Sequence, residues 1–226
     1  MADHHYNFLK RNKINILQFS FGPFQENTYV IWTDNERSAY IIDPGMSNHQ
    51  EEEAFLTAIQ EHHLEPTAIY NTHCHIDHIM GVGFLQKKFQ LPFFHHPLEI
   101  TNTHRSEQMS ALWNIPYSAP IWPGKDLLEG TSLNFGGEKM DVIWVPGHCE
   151  GHLAFIHHDS GTIISGDVLF KESIGRTDLP GGSMEILKNS IHLLYQYPED
   201  FWVLSGHGPN TTIGHEKLHN PFFRAD

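Results

Sequence analysis

The run Thr72-His73-Cys74-His75-Ile76-Asp77-His78 places three imidazoles and a carboxylate within six residues, in the pattern H-x-H-x-D-H. Imidazole and carboxylate are the donors that borderline metals such as zinc prefer. One ion rarely takes all four from so short a loop. Divided between two ions, His73 and His75 serve one, while Asp77 and His78 serve a neighbour. Each pair then needs further donors from elsewhere in the chain.

Four short apolar runs stop at such donors. Ala68-Ile69-Tyr70 leads to His73, and Val142-Ile143-Trp144-Val145 leads through Pro146-Gly147 to His148. Ile163-Ile164-Ser165-Gly166 leads to Asp167, and Trp202-Val203-Leu204-Ser205-Gly206 leads to His207. Apolar β-rich runs bounded by Gly and Pro read as buried strands. Loops at one end of a sheet are where a rigid scaffold positions chemistry. The expected grouping is His73, His75 and His148 around one ion and Asp77, His78 and His207 around a second, with Asp167 bridging. The chain has 19 histidines. Most of the others read as ordinary surface or core residues, and His152 reads as a structural support. Cys74 and Cys149 adjoin donors but are not assigned as ligands.

The elements that must hold these loops follow from periodicity. Residues 14–19, 28–32 and 39–42 read as an opening antiparallel set, closed by Asp43-Pro44-Gly45 with turn chemistry. Ser47, with Gln50 three residues on, has capping-box spacing. Ala54, Phe55, Ala58 and Ile59 then form a helical apolar stripe. A second helix is expected over 79–89, opening just after the donor loop. Residues 97–124, with Trp113, Tyr117 and Trp122, read as a helix and cap loop over a pocket. Another outer helix is expected over 184–195.

Composition bounds the function. A chain of 226 residues suits one domain over 1–226, made of two similar halves at 14–120 and 130–210. No run is long and apolar enough for a membrane span. No basic segment precedes an apolar one near the start, so no secretory signal is expected. Two cysteines give no disulfide framework, and a reducing cytoplasm is the expected setting. With 14 basic and 27 acidic residues the formal charge is −13. That argues against nucleic-acid partners, which need clustered Lys and Arg.

The ordered set H-x-H-x-D-H, Gly-His, strand-Asp and final His resembles the metallo-β-lactamase superfamily along nearly the whole chain. Pro146-Gly147-His148-Cys149-Glu150-Gly151-His152 is similar to the segment of glyoxalase-II-like hydrolases. The stretches Ser165-Gly166-Asp167-Val168-Leu169-Phe170 and Gly206-His207-Gly208-Pro209 resemble the single-domain bacterial branch. The resemblance implies an α/β fold, the αββα sandwich of two mixed β-sheets flanked by helices. It also implies two divalent metal ions, zinc first, with iron or manganese as alternatives. The implied activity is hydrolysis of 2-hydroxyacyl thioesters such as S-lactoylglutathione, with a metal-bound hydroxide attacking the carbonyl and Asp77 orienting it.

Two departures accompany the likeness. The helical extension that carries basic glutathione-binding residues in two-domain glyoxalase II enzymes is expected to be missing or replaced here. Arg176 falls at a basic position of the substrate loop and is the candidate substrate contact, although Asp178 stands two residues away as its alternative partner. Residues 71–78 also fit the run of mononuclear-iron persulfide dioxygenases, whose ligands match His73, His148 and Asp167. Those proteins, however, usually lack a histidine at the position of His152. A lactonase of the same superfamily shares all seven donors. A metal-bound interaction module is the non-enzyme alternative.

Overall fold

The computed structural model describes residues 6–115, 117–121 and 124–224. Its layers follow from strands with two apolar faces. In β2 (Ile14–Phe21), Ile14 and Ile16 point to one side and Leu17, Phe19 and Phe21 to the other. β3 (Glu26–Thr33) divides in the same way, with Tyr29 and Ile31 opposite Val30 and Trp32. Alternate residues of a strand face opposite sides, so such strands must lie between two apolar layers.

β1 (Tyr6–Arg11), β4 (Ser38–Ile42), β5 (Glu65–Tyr70), β6 (Phe93–His95) and β7 (Lys125–Asp126) complete a seven-stranded sheet in chain order. β1 to β4 pair antiparallel, and β4 to β7 pair parallel. A six-stranded sheet has the order β15-β14-β11-β10-β9-β8. Its strands are β8 (Ser132–Phe135), β9 (Glu138–Trp144), β10 (Leu153–His157), β11 (Thr162–Gly166), β14 (Trp202–Ser205) and β15 (Thr211–Thr212). A two-stranded ribbon, β12 (Leu169–Phe170) with β13 (Ser173–Ile174), stands apart.

Three apolar layers result. Tyr29, Ile31, Phe155, Ile164 and Leu204 meet between the two sheets. α1 (His49–Glu61) covers the first sheet with Phe55, Ala58 and Ile59, and α3 (Val82–Phe89) adds Val82 and Leu85. Fully burying a side chain such as Phe55 contributes about 1.5–3 kcal/mol relative to exposure. α5 (Met184–Leu194) covers the second sheet with Leu187, Ile191 and Leu194, beside Ile213 of α6 (Ile213–His219). This is the expected αββα sandwich, and its division falls near the expected halves. Among the described residues no helix is long and apolar enough to cross a membrane.

The structure corrects several local expectations. β1 precedes the opening set and was not foreseen. The cap of α1 is Asn48, not Ser47: its Oδ1 accepts the Glu51 backbone N–H at 3.0 Å. Glu51 reaches back to the Ser47 N–H at 2.7 Å, so the capping box sits one residue later than the spacing predicts. The helix expected over 79–89 is two helices, α2 (Ile76–Ile79) and α3. The break has a local cause. Gly81 donates its N–H to Pro44 O at 2.8 Å, and a Cβ there would overlap Met46 Sδ. Within 97–124, a short 3-10 turn at Pro97–Glu99 leads into α4 (Ile100–Trp113). Tyr117 packs on the first core, whereas Trp122 lies outside the described residues.

Candidate metal centre and its cavity

Each of the four anticipated strand ends delivers its residue to one place. β5 runs into Asn71-Thr72-His73, β9 into Pro146-Gly147-His148, β11 into Asp167 and β14 into Gly206-His207. The donor loop turns into α2, which carries Asp77 and His78. Asn71 fixes the turn, donating from Nδ2 to His73 O at 3.0 Å and to His78 O at 2.8 Å. The Pro146-Gly147 bend rests on α5, where Ser190 Oγ donates to Pro146 O at 2.6 Å. Gly147 has φ +128°, and a Cβ on it would overlap the backbone of Leu187.

All seven predicted donors converge. One nitrogen each from His73, His75 and His148 lie within 4.8 Å of one another, as do donor atoms of Asp77, His78 and His207. His75 Nδ1 is 2.8 Å from His148 Nε2. Asp167 stands between the groups: Oδ1 is 3.5 Å from His78 Nε2, and Oδ2 is 3.6 Å from both His148 Nε2 and His207 Nε2. Asp77 Oδ2 is 3.2 Å from His207 Nε2.

In three of these rings, His73, His148 and His207, the outward nitrogen is already engaged. His148 Nδ1 donates to Arg176 O at 2.8 Å and His207 Nδ1 to Phe24 O at 3.1 Å. A carbonyl only accepts, so in the neutral form of each ring Nε2 keeps its lone pair. Thr72 Oγ1 donates to Asp43 Oδ2 at 2.6 Å and accepts from His73 Nδ1 at 3.1 Å, with the same outcome for His73. His73 Nε2, His78 Nε2 and Asp167 Oδ1 are buried and have no hydrogen-bond partner among the described residues. Orphaned buried polar atoms are costly and rare. A cation at their common focus satisfies them, so this donor set fits divalent metal.

Burial and charge divide the imidazoles. Burial, with His78 and His152 alongside, pushes His73 well below the ordinary imidazole value. Burial and His148 bring His75 to about 4. Burial also opposes charging His78, but Asp167 and Asp77 outweigh it and lift His78 well above that value. His207 is lifted in the same way, burial being outweighed by Asp77 and Asp167. Burial would raise Asp77 and Asp167, yet His78 and its neighbours hold both carboxyls below the usual range.

His152 plays the supporting part expected of it. It stacks on His73 at 4.7 Å, and its Nε2 accepts the Asp167 N–H at 3.0 Å. Cys74 is fully buried in the first core and Cys149 is buried beside Glu99; burial pushes both thiols up. Neither belongs to a donor group. Arg176 lines the cavity, but Asp178 holds its guanidinium through two bonds, at 2.7 and 2.6 Å, and both side chains are more than 60% exposed. Its contact with the centre is through its carbonyl.

Two buried carboxylates were missed from sequence. Asp43 was read as turn chemistry. Its Oδ1 accepts Thr72 N–H at 2.7 Å, and its Oδ2 lies 3.1 Å from His78 Nδ1. It also falls within 4.8 Å of His73 and His78 donor atoms. A signal was available, because the buried run Ile41-Ile42 stops at it as the other strands stop at their donors. Glu99 is fully buried. It accepts Cys74 N–H, Gly151 N–H and Asn102 Nδ2, each at 2.9 Å, and so ties the two histidine loops together. Nothing in its sequence surroundings marks that role.

Five of the donors, His75, Asp77, His148, Asp167 and His207, form the floor of a cavity of about 590 Å³, with His73 and His78 buried beneath. α4 builds one wall with Asn102, Arg105, Ser106, Met109 and Trp113; Phe24, Phe170, Ile174, Leu179 and Pro180 build the rest. Trp113, in the segment expected to cap the pocket, lines this cavity and meets Phe24 at 6.0 Å.

Comparison with known proteins agrees with this architecture. The family model described as the metallo-beta-lactamase superfamily matches residues 21–207. The hydroxyacylglutathione hydrolase GloC of Haemophilus influenzae is 35% identical over 94% of this chain and 99% of its own. The structure of BLEG-1, titled a B3 metallo-beta-lactamase, is 38% identical, with TM-score 0.80 over 92% of this chain and 98% of its own. TTHA1623, in a di-iron-bound form, is 36% identical, with TM-score 0.82 over 91% and 99%. By its donor order, its layers and these matches, the chain belongs to the metallo-beta-lactamase superfamily.

Proposed function

We propose that this protein is a hydrolase of 2-hydroxyacyl thioesters such as S-lactoylglutathione. His73, His75 and His148 hold one divalent ion, Asp77, His78 and His207 hold a second, and Asp167 lies between them. Such ions supply Lewis acidity and bring the pKa of a water to near neutrality. The di-iron form of TTHA1623 is the reason to keep iron beside zinc.

One observation carries the thioester reading. Outside the seven donors, the only ionisable groups among the described residues lining the cavity are Arg105 and Arg176. A guanidinium does not give up its proton. Among the described residues no side chain outside the donors can therefore serve as a general acid to the leaving group. A thiolate departs readily without one, since the parent thiol has a pKa of about 8.5. An alkoxide or an amide nitrogen needs a proton that nothing on this wall delivers. The 35% identity to GloC supports the same reading.

The chain's own residues divide the remaining work. Asp77 lines the floor and stays ionised, so it accepts a hydrogen bond from the attacking water and orients it. Asp167, its backbone fixed by His152, keeps the two donor groups at a set separation. Phe24, Met109, Trp113 and Phe170 exclude bulk water from the substrate.

The test is hydrolysis of S-D-lactoylglutathione by metal-loaded protein, with metal content read on the same sample. Efficient turnover with two metals per chain supports the reading. No turnover, with a single iron and oxygen uptake on glutathione persulfide, assigns the protein to the dioxygenases instead.

A further inference from the structure

Among the described residues lining the cavity, Arg105 is the one cation that no carboxylate holds. Arg176 is bound by Asp178, whereas among the described residues no carboxylate oxygen lies within 4 Å of the Arg105 guanidinium. Arg105 is half-buried on α4, among Met109, Trp113, Leu179 and Pro180. A cation on an apolar wall, in a chain of net charge −13, is uncompensated locally and favours an anion.

Its guanidinium is also aimed. Nη1 donates to Asn102 Oδ1 at 3.2 Å and to Pro180 O at 3.5 Å. Asn102 is itself fixed, because its Nδ2 donates to the buried Glu99 carboxylate. Among the described residues these bonds use only Nη1, which leaves Nε and Nη2 as a fork. That edge matches a carboxylate with two parallel bonds. From Asn102 to Trp113 the α4 wall runs about 16 Å, at 1.5 Å per residue. A three-carbon lactoyl group occupies a fraction of that length, so the cavity has room along α4 for part of a thiol carrier.

We propose that Arg105 is a specificity-determining residue that binds a carboxylate on the thiol carrier, making thioesters of carboxylate-bearing thiols the preferred substrates. The proposal rests on the thioester reading and adds to it the chemistry of the carrier.

The test compares S-lactoyl-N-acetylcysteine with S-lactoyl-N-acetylcysteamine, which lacks the carboxylate, on the metal-loaded full chain. The wild-type protein prefers the first by about 10- to 100-fold in kcat/KM, mostly through KM, the range a charge-assisted pair provides. Arg105→Ala brings the ratio close to one, and Arg105→Lys restores part of it. Arg105→Gln, which keeps the stem, guards against misfolding of the alanine variant. No preference in the wild type, a preference that survives Arg105→Ala, or its loss in Arg176→Ala alone would overturn the proposal. Binding of S-propyl-N-acetylcysteine and S-propyl-N-acetylcysteamine, read by tryptophan fluorescence, separates the two claims. If neither thioester is hydrolysed, the function reading fails. A carboxylate-dependent binding difference abolished by Arg105→Ala still upholds the arginine, and its absence sinks it.

Discussion

Acidification should empty the two halves of the proposed centre unequally. In the metal-free site His73 lies well below the ordinary imidazole pKa of about 6.5 and His75 lies at about 4. Neither carries a proton to lose above about pH 5. His78 and His207 are lifted above that value by Asp167 and Asp77, so at pH 6.5 and below both are predominantly protonated. A metal takes only the neutral imidazole. The ion held by Asp77, His78 and His207 must therefore displace up to two protons from its imidazoles, whereas His73 and His75 of the other group have none to lose. Where both rings are protonated, each pH unit lowers that affinity by up to about 100-fold, or about 2.7 kcal/mol. The sign is fixed: raised imidazole pKa values favour the empty group in acid, and the penalty fades as pH rises through them. Calorimetric titration of zinc into metal-free protein at pH 6.5 and 7.5 counts the protons, using buffers of different ionisation enthalpy. The expected result is two binding steps, the weaker one releasing more protons and weakening further at pH 6.5. Equal release in both steps, or more in the tighter one, would refute the reasoning.

Asp167→Ala should lose metal and turnover together, by more than the roughly 10–100-fold that loss of a supporting partner costs; full metal with full turnover means that Asp167 does not bridge. Gly206→Ala should push Asp167 and His78 apart, because a Cβ there overlaps Asp167 Oδ1 and crowds His78 Cε1. A cost of about 1–3 kcal/mol and reduced metal content are expected from thermal melts and metal analysis, and an unchanged variant contradicts the close approach. Glu99→Ala strands three buried N–H donors from two histidine loops and α4. Urea unfolding of the metal-free protein should show a loss of about 3–5 kcal/mol, and a loss under 1 kcal/mol would show that the clamp carries little.

The donors were legible because ligand chemistry is written locally. His73, His75, Asp77 and His78 share one loop, and His148, Asp167 and His207 each follow an apolar run that reads as a buried strand. The layers were legible for the same reason, as in β2 and β3, whose two faces alternate. What sequence hid depends on partners distant in the chain. Glu99 is defined by Cys74 and Gly151, and Asp43 by Thr72 and His78. The split between α2 and α3 comes from Gly81 pressing on Pro44 and Met46. Arg176 carried two readings in sequence, a substrate contact or a pair with Asp178; its guanidinium is held by Asp178, while Arg105 of α4 faces the cavity without such a partner among the described residues.

The centre is shared between the two sheets, and synthesis runs in one direction. His73, His75, Asp77 and His78 follow the first sheet, whereas His148, Asp167 and His207 come only with the second. At about 5–20 residues per second, the ribosome completes His207 on the order of ten seconds after His78. During that interval the nascent chain displays a four-donor loop whose remaining ligands do not yet exist. An ion captured then has an incomplete shell and is free to exchange. The full donor set therefore exists only once β14 closes against β11 and brings His207 to the floor.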